Sequence, residues 1–215
     1  MSLCYNFLPM STNKTLNTTA NKAYTPLPVS FYERAADTVA VDLLGRLLVR
    51  ETPQGAMAAR IVEVEAYFGE GDPASHACRG MTPRNAIMFG RAGRAYVYLN
   101  YGVHYLLNVV TGEEGCAGAV LLRAVEPVSG IELMMHNRPV KKITDLTNGP
   151  GKLTKALKVD INNNGTDMAH RGGGLFITAG IPEAVSIHKS PRIGISAGTN
   201  MLLRFSIRGN PYVSR

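Results

Sequence analysis

The feature that most constrains this chain is a long, mostly apolar run at residues 95–110. It reads AYVYLNYGVHYLLNVV, and its β-branched and aromatic residues favour extended backbone. The run is interrupted at Asn100-Tyr101-Gly102, where the glycine can take the positive φ that a tight turn requires. We therefore predict a β-hairpin, which makes two strands of the fold antiparallel neighbours.

A further strand is predicted over Ala56–Tyr67, because the end of this segment shows a strict alternation of apolar and polar residues. Because strand side chains point alternately to opposite faces, one face is apolar and the other polar: Val62, Val64 and Ala66 against Glu63, Glu65 and Tyr67. We interpret Glu63 as a solvent-facing strand residue. Glu65 is a candidate general base, because a carboxylate near a strand end is held rigidly and Tyr67 and His76 follow it.

The remaining segments favour strands over helices. An amphipathic helix is predicted over residues 31–48, with Ser30 as its N-cap; its end, 46–50, is also open to interpretation as a strand. The other predicted elements are helices at 129–136 and 152–157, and strands at 119–124, 175–178, 192–195 and 202–207. We expect a flexible tail, residues 1–27, before a single α+β domain, residues 28–215.

The composition limits the class of protein and its partners. The chain has 215 residues, 45% hydrophobic and 18% charged, which fits one globular domain. Its net charge of +7 favours a polyanionic partner, with nucleic acid ahead of an anionic membrane surface. Three scattered cysteines argue against a disulfide framework or a zinc site. No segment is typical of a signal peptide or a membrane span, so we expect an intracellular protein.

The span 73–112 contains no acidic residue. Its arginines are interleaved with aromatic residues: Arg79, Arg84, Arg91 and Arg94 with Phe89, Tyr96, Tyr98, Tyr101 and Tyr105. Arginine neutralises phosphates and tyrosine stacks on bases, so the pattern favours a nucleic-acid surface. The alternative is an ordinary strand pair, with its tyrosines in the core and its arginines in solvent.

Two further polar residues stand in apolar runs. Asn108 lies among leucines and valines of the hairpin, where an amide must be hydrogen-bonded or functional. Arg123 follows the run AVLL, and the alternative role for it is a buried ion pair with Glu126. A glycoside-hydrolase pair of Glu63 and Glu65 is less favoured, because the chain lacks tryptophan. The spacing of polar residues repeats no metal-ligand pattern, so we expect no metal.

Five motifs, in order, resemble the alkyladenine (3-methyladenine) DNA glycosylase family: EVEAYFGEGDPASHACRGMTPRNAIMFG, AYVYLNYGVHYLLNVV, AVLLRAVEP, NGPGKLTKAL and LRFSIRGNPYVSR. The resemblance implies an antiparallel, partly barrel-like core with flanking helices and a protruding hairpin that inserts into DNA. It also implies a monofunctional enzyme of base excision repair. Such an enzyme flips alkylated or deaminated purines out of the duplex and hydrolyses the N-glycosidic bond without a cofactor.

The resemblance also implies roles in catalysis and DNA binding. Glu65 matches the general base that activates water, and Arg123 matches a side chain that helps to hold this water. The backbone carbonyl of Ile193 matches a third partner of the water. Tyr101 matches the wedge that takes the place of the flipped base, and the four arginines of the acid-free span are candidates for contacts to the DNA backbone.

For the base pocket, the resemblance implies four residues. Tyr67 and Tyr98 match aromatic walls that sandwich the flipped base. His76 matches a residue that contacts the edge of the base. Asn108 matches a residue at the pocket floor that clashes with the amino group of normal guanine.

Two alternatives to a DNA glycosylase follow from the residues. One is a nucleic-acid-binding module of the same fold without turnover, although binding alone needs no set of Glu65, Arg123 and Asn108. The other is a hydrolase of free nucleosides, which needs no wedge at Tyr101. For the glycosylase we expect double-stranded DNA as the partner, a monomeric protein, and neither cofactor nor metal.

Overall fold

In residues 24–178 and 184–214, which a computed structural model describes, eight antiparallel strands form one curled sheet. The predicted tail, residues 1–27, lies mainly outside this part of the chain. At its end, Pro26 bridges to Thr178, and the Leu27 amide donates to the Ile177 carbonyl at 2.8 Å. These last residues therefore extend the edge of the sheet.

Most strands occur where the residue pattern predicts them. They are β1 (Leu47–Thr52), β2 (Gly55–Phe68), β3 (Ala95–Asn100), β4 (His104–Val110), β5 (Gly118–Ser129), β6 (Leu175–Thr178), β7 (Ile187–Ser190) and β8 (Arg204–Ile207). Their order across the sheet is β3-β4-β5-β2-β1-β6, and β8 pairs with β2 and β7. The predicted hairpin is β3 and β4, and Gly102 at its tip has a φ of 69°. The hairpin and β2 are thus confirmed.

Strand β2 lies at the centre of the sheet and carries both glutamates. Its first half pairs with β1, its second half pairs with β8 at Glu63–Glu65, and both halves pair with β5. A register shift against β5 occurs between Ile61 and Glu63, as in a β-bulge. Glu63 and Glu65 are both fully buried, because other segments cover this face of β2: the Ser214 amide donates to Glu63 and the Ile193 amide donates to Glu65. The interpretation of Glu63 as a solvent-facing residue is therefore wrong.

Four short α-helices in the described chain flank the sheet: α1 (Val29–Tyr32), α2 (Ala36–Leu43), α3 (Ile131–Asn137) and α4 (Pro150–Ala156). Helix α2 packs against β2 and β5, and α4 packs against β4 and β5. Their apolar side chains, such as Leu43 and Leu153, join the sheet in the main core. The fold is thus the expected α+β domain. No helix in the described chain combines the length and the apolar character that crossing a bilayer requires.

The single helix predicted over residues 31–48 is wrong, because this segment forms the second half of α1, all of α2 and the start of β1. The Tyr32 carbonyl accepts a hydrogen bond from the Gly112 amide at 3.0 Å, so it is committed to a partner outside the helix. Ser30 lies inside α1, whose N-cap is Pro28 and has no side-chain capping bond. Tertiary contacts therefore divide a segment whose periodicity alone favours one helix.

The strand predicted over residues 192–195 is also wrong. Here the Arg192 side chain binds Asp72, the Ile193 amide binds Glu65, and Gly194 has a φ of 75°. The Ile193 amide therefore bonds to a side chain and not to a neighbouring strand, and residues 192–195 form no strand. Besides β2, the strand that pairs with β8 is β7, which the residue pattern did not predict.

Candidate active site

A cavity of about 350 Å³ opens beside the hairpin and gathers most of the predicted site residues. They come from separate parts of the chain: Tyr67 from β2, His76 from the loop after it, Tyr98 from β3, Tyr101 from the hairpin tip, Asn108 from β4, Arg123 from β5 and Ile193 from the loop between β7 and β8. Apolar side chains such as Met88 and Leu121 also line it. Aromatic walls with a few polar groups are typical of a site for a flat, partly apolar ligand.

Glu65 lies directly behind the wall of this cavity and is fully buried. Its Oε1 atom accepts the Ile193 amide at 2.8 Å and lies 3.2 Å from Arg123 Nη1. Its Oε2 atom accepts the Tyr67 hydroxyl at 2.8 Å. All three partners line the cavity. A carboxylate has about four lone-pair positions, so among the described residues one position on Oε2 is left for a further donor, such as water.

The Tyr67 hydroxyl is suited to this contact. Burial, and then the Glu65 carboxylate, raises the pKa of Tyr67. The hydroxyl therefore stays protonated and donates a hydrogen bond to Glu65. Glu65 is therefore held by three donors, which fixes its orientation. A rigid carboxylate at a cavity wall can act as a general base.

Arg123 bridges two buried carboxylates. Its Nε atom donates to Glu63 Oε1 at 3.0 Å, while Nη1 faces Glu65. The predicted alternative, an ion pair of Arg123 with Glu126, is wrong, since Glu126 accepts a hydrogen bond from Asn210 at 3.0 Å. Nowhere in the described chain do three His, Cys, Asp or Glu side chains form a group that could hold a metal ion.

The other side of the cavity is aromatic. The rings of His76 and Tyr98 lie 4.7 Å apart at 68°, and the rings of Tyr96 and Tyr98 lie 5.1 Å apart. Burial is the main cause that raises the pKa of Tyr98 to about 12. Tyr98 and the predicted opposite wall, Tyr67, are therefore both neutral aromatic surfaces at physiological pH.

His76 is hydrogen-bonded to another tyrosine of the cavity. Its Nδ1 atom lies 2.9 Å from the Tyr96 hydroxyl. Burial raises the pKa of Tyr96, and burial together with the nearby Arg84 lowers the pKa of His76. A neutral imidazole that accepts at Nδ1 carries its proton on Nε2. In the tautomer in which the Tyr96 hydroxyl donates to Nδ1, His76 can donate a hydrogen bond from Nε2 to a ligand.

The Asn108 amide is both paired and at the cavity. Its Nδ2 atom donates to the Tyr96 carbonyl at 3.0 Å, and only 4% of the residue is exposed. The expectation that this amide must be hydrogen-bonded or functional is thus met by a bond across the hairpin. The bond fixes the amide where it borders the cavity.

Tyr101 stands at the hairpin tip, 88% exposed and with a φ of 50°. Val103, two residues further on, is 69% exposed. A non-glycine residue at positive φ is uncommon, and here it places a large aromatic side chain in solvent at the cavity mouth. Exposed apolar side chains in this position are typical of a surface that meets a partner.

The four arginines of the acid-free span differ in their surroundings. Arg79 and Arg84 are exposed, and the Arg84 guanidinium lies 5.4 Å from the ring of a cavity tyrosine. Arg91 is also exposed, with an aspartate oxygen 3.9 Å away. Arg94 is half-buried and donates to the Gly165 carbonyl at 2.9 Å. The first three are accessible to an anionic partner, whereas Arg94 also supports the fold.

No sequence pattern predicts Arg192 and Asp72 as residues that support the site. The Arg192 guanidinium binds both carboxylate oxygens of Asp72, at 2.7 and 2.6 Å, and both side chains are buried. The pair joins the loop after β2, which carries His76, to the loop before β8, which carries Ile193. No local pattern connects two residues so distant in the chain, so only their tertiary contact identifies them.

The chain matches known proteins over nearly all of its described length. Residues 30–211 match the sequence model of the family described as methylpurine-DNA glycosylase (MPG). The chain is 49% identical over 187 residues to the "Putative 3-methyladenine DNA glycosylase" of Prosthecochloris aestuarii, which covers 86% of this chain and 89% of that protein. It is 50% identical over 193 residues to the protein of the same name from Methanoculleus marisnigri, covering 88% and 98%. With that from Carboxydothermus hydrogenoformans it shares 48% over 190 residues, covering 88% and 98%.

Proposed function

The chain belongs to the methylpurine-DNA glycosylase family, and on this premise we propose that it removes alkylated or deaminated purines from double-stranded DNA in base excision repair. The family identifies it as a DNA N-glycosylase, an enzyme that cuts the bond between base and sugar. In our proposal the damaged nucleotide is flipped into the cavity beside the hairpin. A water molecule then attacks C1′: the C1′–O bond forms as the C1′–N bond breaks, Glu65 takes the proton of the water, and the electron pair of the broken bond leaves with the purine, so that a cationic alkylated purine departs as a neutral base.

The main support for hydrolysis is the position of Glu65. It lies behind the cavity wall, held by Arg123, Tyr67 and the Ile193 amide, with one lone-pair position of Oε2 open. In our proposal a water in that position donates to Glu65 Oε2 and is also held by Arg123, whose Nη1 lies 3.2 Å from the other oxygen, Oε1. Glu65 then accepts the proton as the water attacks, and the carbonyl of Ile193 is a further proposed acceptor for the same water.

The cavity is suited to a purine. We propose that Tyr67 and Tyr98 form the aromatic walls between which the flipped base stacks. A purine alkylated at a ring nitrogen is cationic, so an aromatic face attracts it more strongly than a neutral base. His76 then donates from Nε2 to the edge of the base.

Selectivity against normal guanine is proposed to come from Asn108. Its amide is fixed by the bond to the Tyr96 carbonyl, so it cannot move aside freely. The exocyclic amino group of guanine would meet this amide, whereas adenine and hypoxanthine lack an amino group at that position.

The proposed DNA-binding surface surrounds the cavity mouth. Tyr101, at the exposed hairpin tip, enters the duplex and takes the place of the flipped base. Arg79, Arg84 and Arg91 contact phosphates on either side, and Arg94 supports the same surface from within. The net charge of +7 fits such a partner. We propose that the protein acts inside the cell, as a monomer and without a cofactor.

The proposed function is tested with a duplex that carries a single hypoxanthine or one alkylated purine. After incubation, hot alkali cleaves the strand wherever a base has been removed. We expect cleavage with the wild type and a loss of about 100- to 10,000-fold with Glu65→Gln, the scale of general-base catalysis, while DNA binding persists. Glu70→Gln, which changes an exposed glutamate in the following loop, is the matched control and should cleave normally.

The outcomes separate the proposal from its alternatives. Normal excision by Glu65→Gln would contradict the role of Glu65. Tight binding without cleavage by the wild type would favour a binding module of the same fold. Release from the free nucleoside as fast as from the duplex would favour a nucleoside hydrolase.

A further inference from the structure

The buried carboxylate of Glu63 takes no part in the proposed chemistry, yet it binds four hydrogen-bond donors. Its Oε1 atom accepts Arg123 Nε at 3.0 Å, Arg204 Nε at 2.7 Å and the Ser214 hydroxyl at 2.8 Å. Its Oε2 atom accepts the Ser214 amide at 2.6 Å. A side chain with so many fixed donors orients its neighbours as strongly as they orient it.

Ser214 also forms hydrogen bonds with the two arginines that bind Glu63. Its carbonyl accepts Arg204 Nη2 at 3.3 Å, and its hydroxyl lies 3.4 Å from Arg123 Nη2. Just before it, the Asn210 amide group donates to Glu126 at 3.0 Å. The segment 210–214 therefore folds back against Glu63 on β2 and Glu126 on β5.

The two arginines, Arg123 and Arg204, together neutralise the two buried carboxylates, Glu63 and Glu65. Arg123 and Arg204 have side-chain exposures of 9% and 14%, while Glu63 and Glu65 have none. Breaking a buried pair leaves a charge uncompensated, so each member depends on the others for its place. Arg123 in particular contacts Glu63 through Nε and Glu65 through Nη1. Its orientation toward the cavity is thus set by the contact behind it.

We propose that Glu63 and Ser214 are positioning residues for the hydrolysis. Ser214 donates to both oxygens of Glu63, Glu63 holds Arg123 at Nε, and Arg123 presents Nη1 to Glu65 at the cavity wall. This inference rests on the proposed function. A guanidinium that loses its rear contact can rotate, and misplacing a catalytic group by about 1 Å can cost about 100-fold in rate.

Three variants of Ser214 test the inference, because its side chain and amide act separately. Ser214→Ala removes only the hydroxyl, Ser214→Pro removes the amide donor as well, and Ser214→Thr keeps both. We expect the single-turnover rate of base release to fall about tenfold for alanine, to fall further for proline, and to be restored by threonine. The Kd for a duplex with an uncleavable abasic analogue should stay the same. The matched control is Ser186→Ala, at an exposed serine, and it should change neither quantity.

A double-mutant cycle separates positioning from a merely structural role. In an Arg123→Ala background, Ser214→Ala should cause no further loss of rate, because the group it positions is absent. The same fractional loss in both backgrounds would overturn the inference. So would a lower Tm with an unchanged rate in Ser214→Ala. Absence of base release by the wild type would instead count first against the proposed function, and would overturn the positioning role with it.

Discussion

The guanidinium of Arg192 lies 4.6 Å from the centroid of the Tyr67 ring. Tyr67 lines the cavity whereas Arg192 does not, so the cation supports this aromatic wall from outside. Arg192 Nη1 also donates to the Ala66 carbonyl at 3.0 Å, in addition to its bonds with Asp72. One buried arginine therefore fixes a wall of the cavity and joins the two loops that flank it.

Loss of Arg192 should lower the free energy of unfolding of the protein. Arg192→Ala leaves Asp72 buried without its partner, which we expect to cost about 3–5 kcal/mol in the free energy of unfolding. Urea denaturation measures this change. The control is Arg208→Ala, at an exposed arginine, which should stay within about 0.5 kcal/mol of the wild type. Equal effects of the two substitutions would contradict the role of the buried pair.

Tyr101 should matter for base release from duplex DNA and not for stability. Its side chain is 88% exposed, so Tyr101→Ala removes little packing from the folded protein. Stacking on a base is worth about 1–3 kcal/mol, so we expect excision from a duplex to slow roughly 5- to 150-fold. Single-turnover rates on duplex DNA check this. Tyr101→Phe keeps the ring and should retain the rate; a similar loss in both variants would argue against a stacking wedge.

Asn108→Ala should relax the discrimination against guanine. The substitution removes the amide at the cavity and its bond to the Tyr96 carbonyl, at a cost of about 1 kcal/mol in stability. We expect measurable release of normal guanine from undamaged DNA, with hypoxanthine release largely retained. Chromatography of the released bases distinguishes the two. Unchanged guanine release by a folded variant would show that discrimination lies elsewhere.

His76 should make stability depend on pH. Burial, followed by Arg84, lowers the pKa of His76 in the folded protein, whereas in an unfolded chain it is about 6.5. The unfolded state therefore binds the proton more readily, so the free energy of unfolding falls as the pH drops below about 6.5, and this group has no effect well above it.

The measurement is urea denaturation of the wild type and His76→Gln at about pH 7.5 and about pH 5. Glutamine does not titrate, so the variant lacks this contribution. We expect the wild type to lose more stability than the variant on acidification. An equal loss in both proteins would contradict a lowered pKa.

The residue pattern anticipates those elements whose signal is local. The alternation that ends at Tyr67 predicts β2, and the run around Gly102 predicts the hairpin, because side-chain periodicity and turn chemistry act over a few residues. The helix predicted over residues 31–48 fails for the opposite reason. The backbone is extended at Ala35, with a ψ of 143°, and the Tyr32 carbonyl at the end of α1 accepts a bond from the Gly112 amide across the fold.

In the candidate site, too, some residues follow from local motifs and others are identified only by their tertiary contacts. Three of the five ordered motifs contain the candidates Glu65, Arg123 and the cavity tyrosines, and these residues lie on strands or at the hairpin tip. The partners of these residues come from elsewhere in the chain. Glu63 is not a solvent-facing residue, Arg123 does not pair with Glu126, and Arg192 and Asp72 support the site without any sequence signal.

Local pattern and motifs within short spans are enough to predict the hairpin, the central strand, the family and several side chains at the cavity, among them Tyr67, Tyr98 and Asn108. The tertiary structure decided which charges are buried and what compensates them. A carboxylate such as Glu63 can be solvent-exposed or wholly buried on the same strand pattern. The outcome depends on whether a distant segment, here the one that ends at Ser214, supplies donors that offset the cost of removing that charge from water.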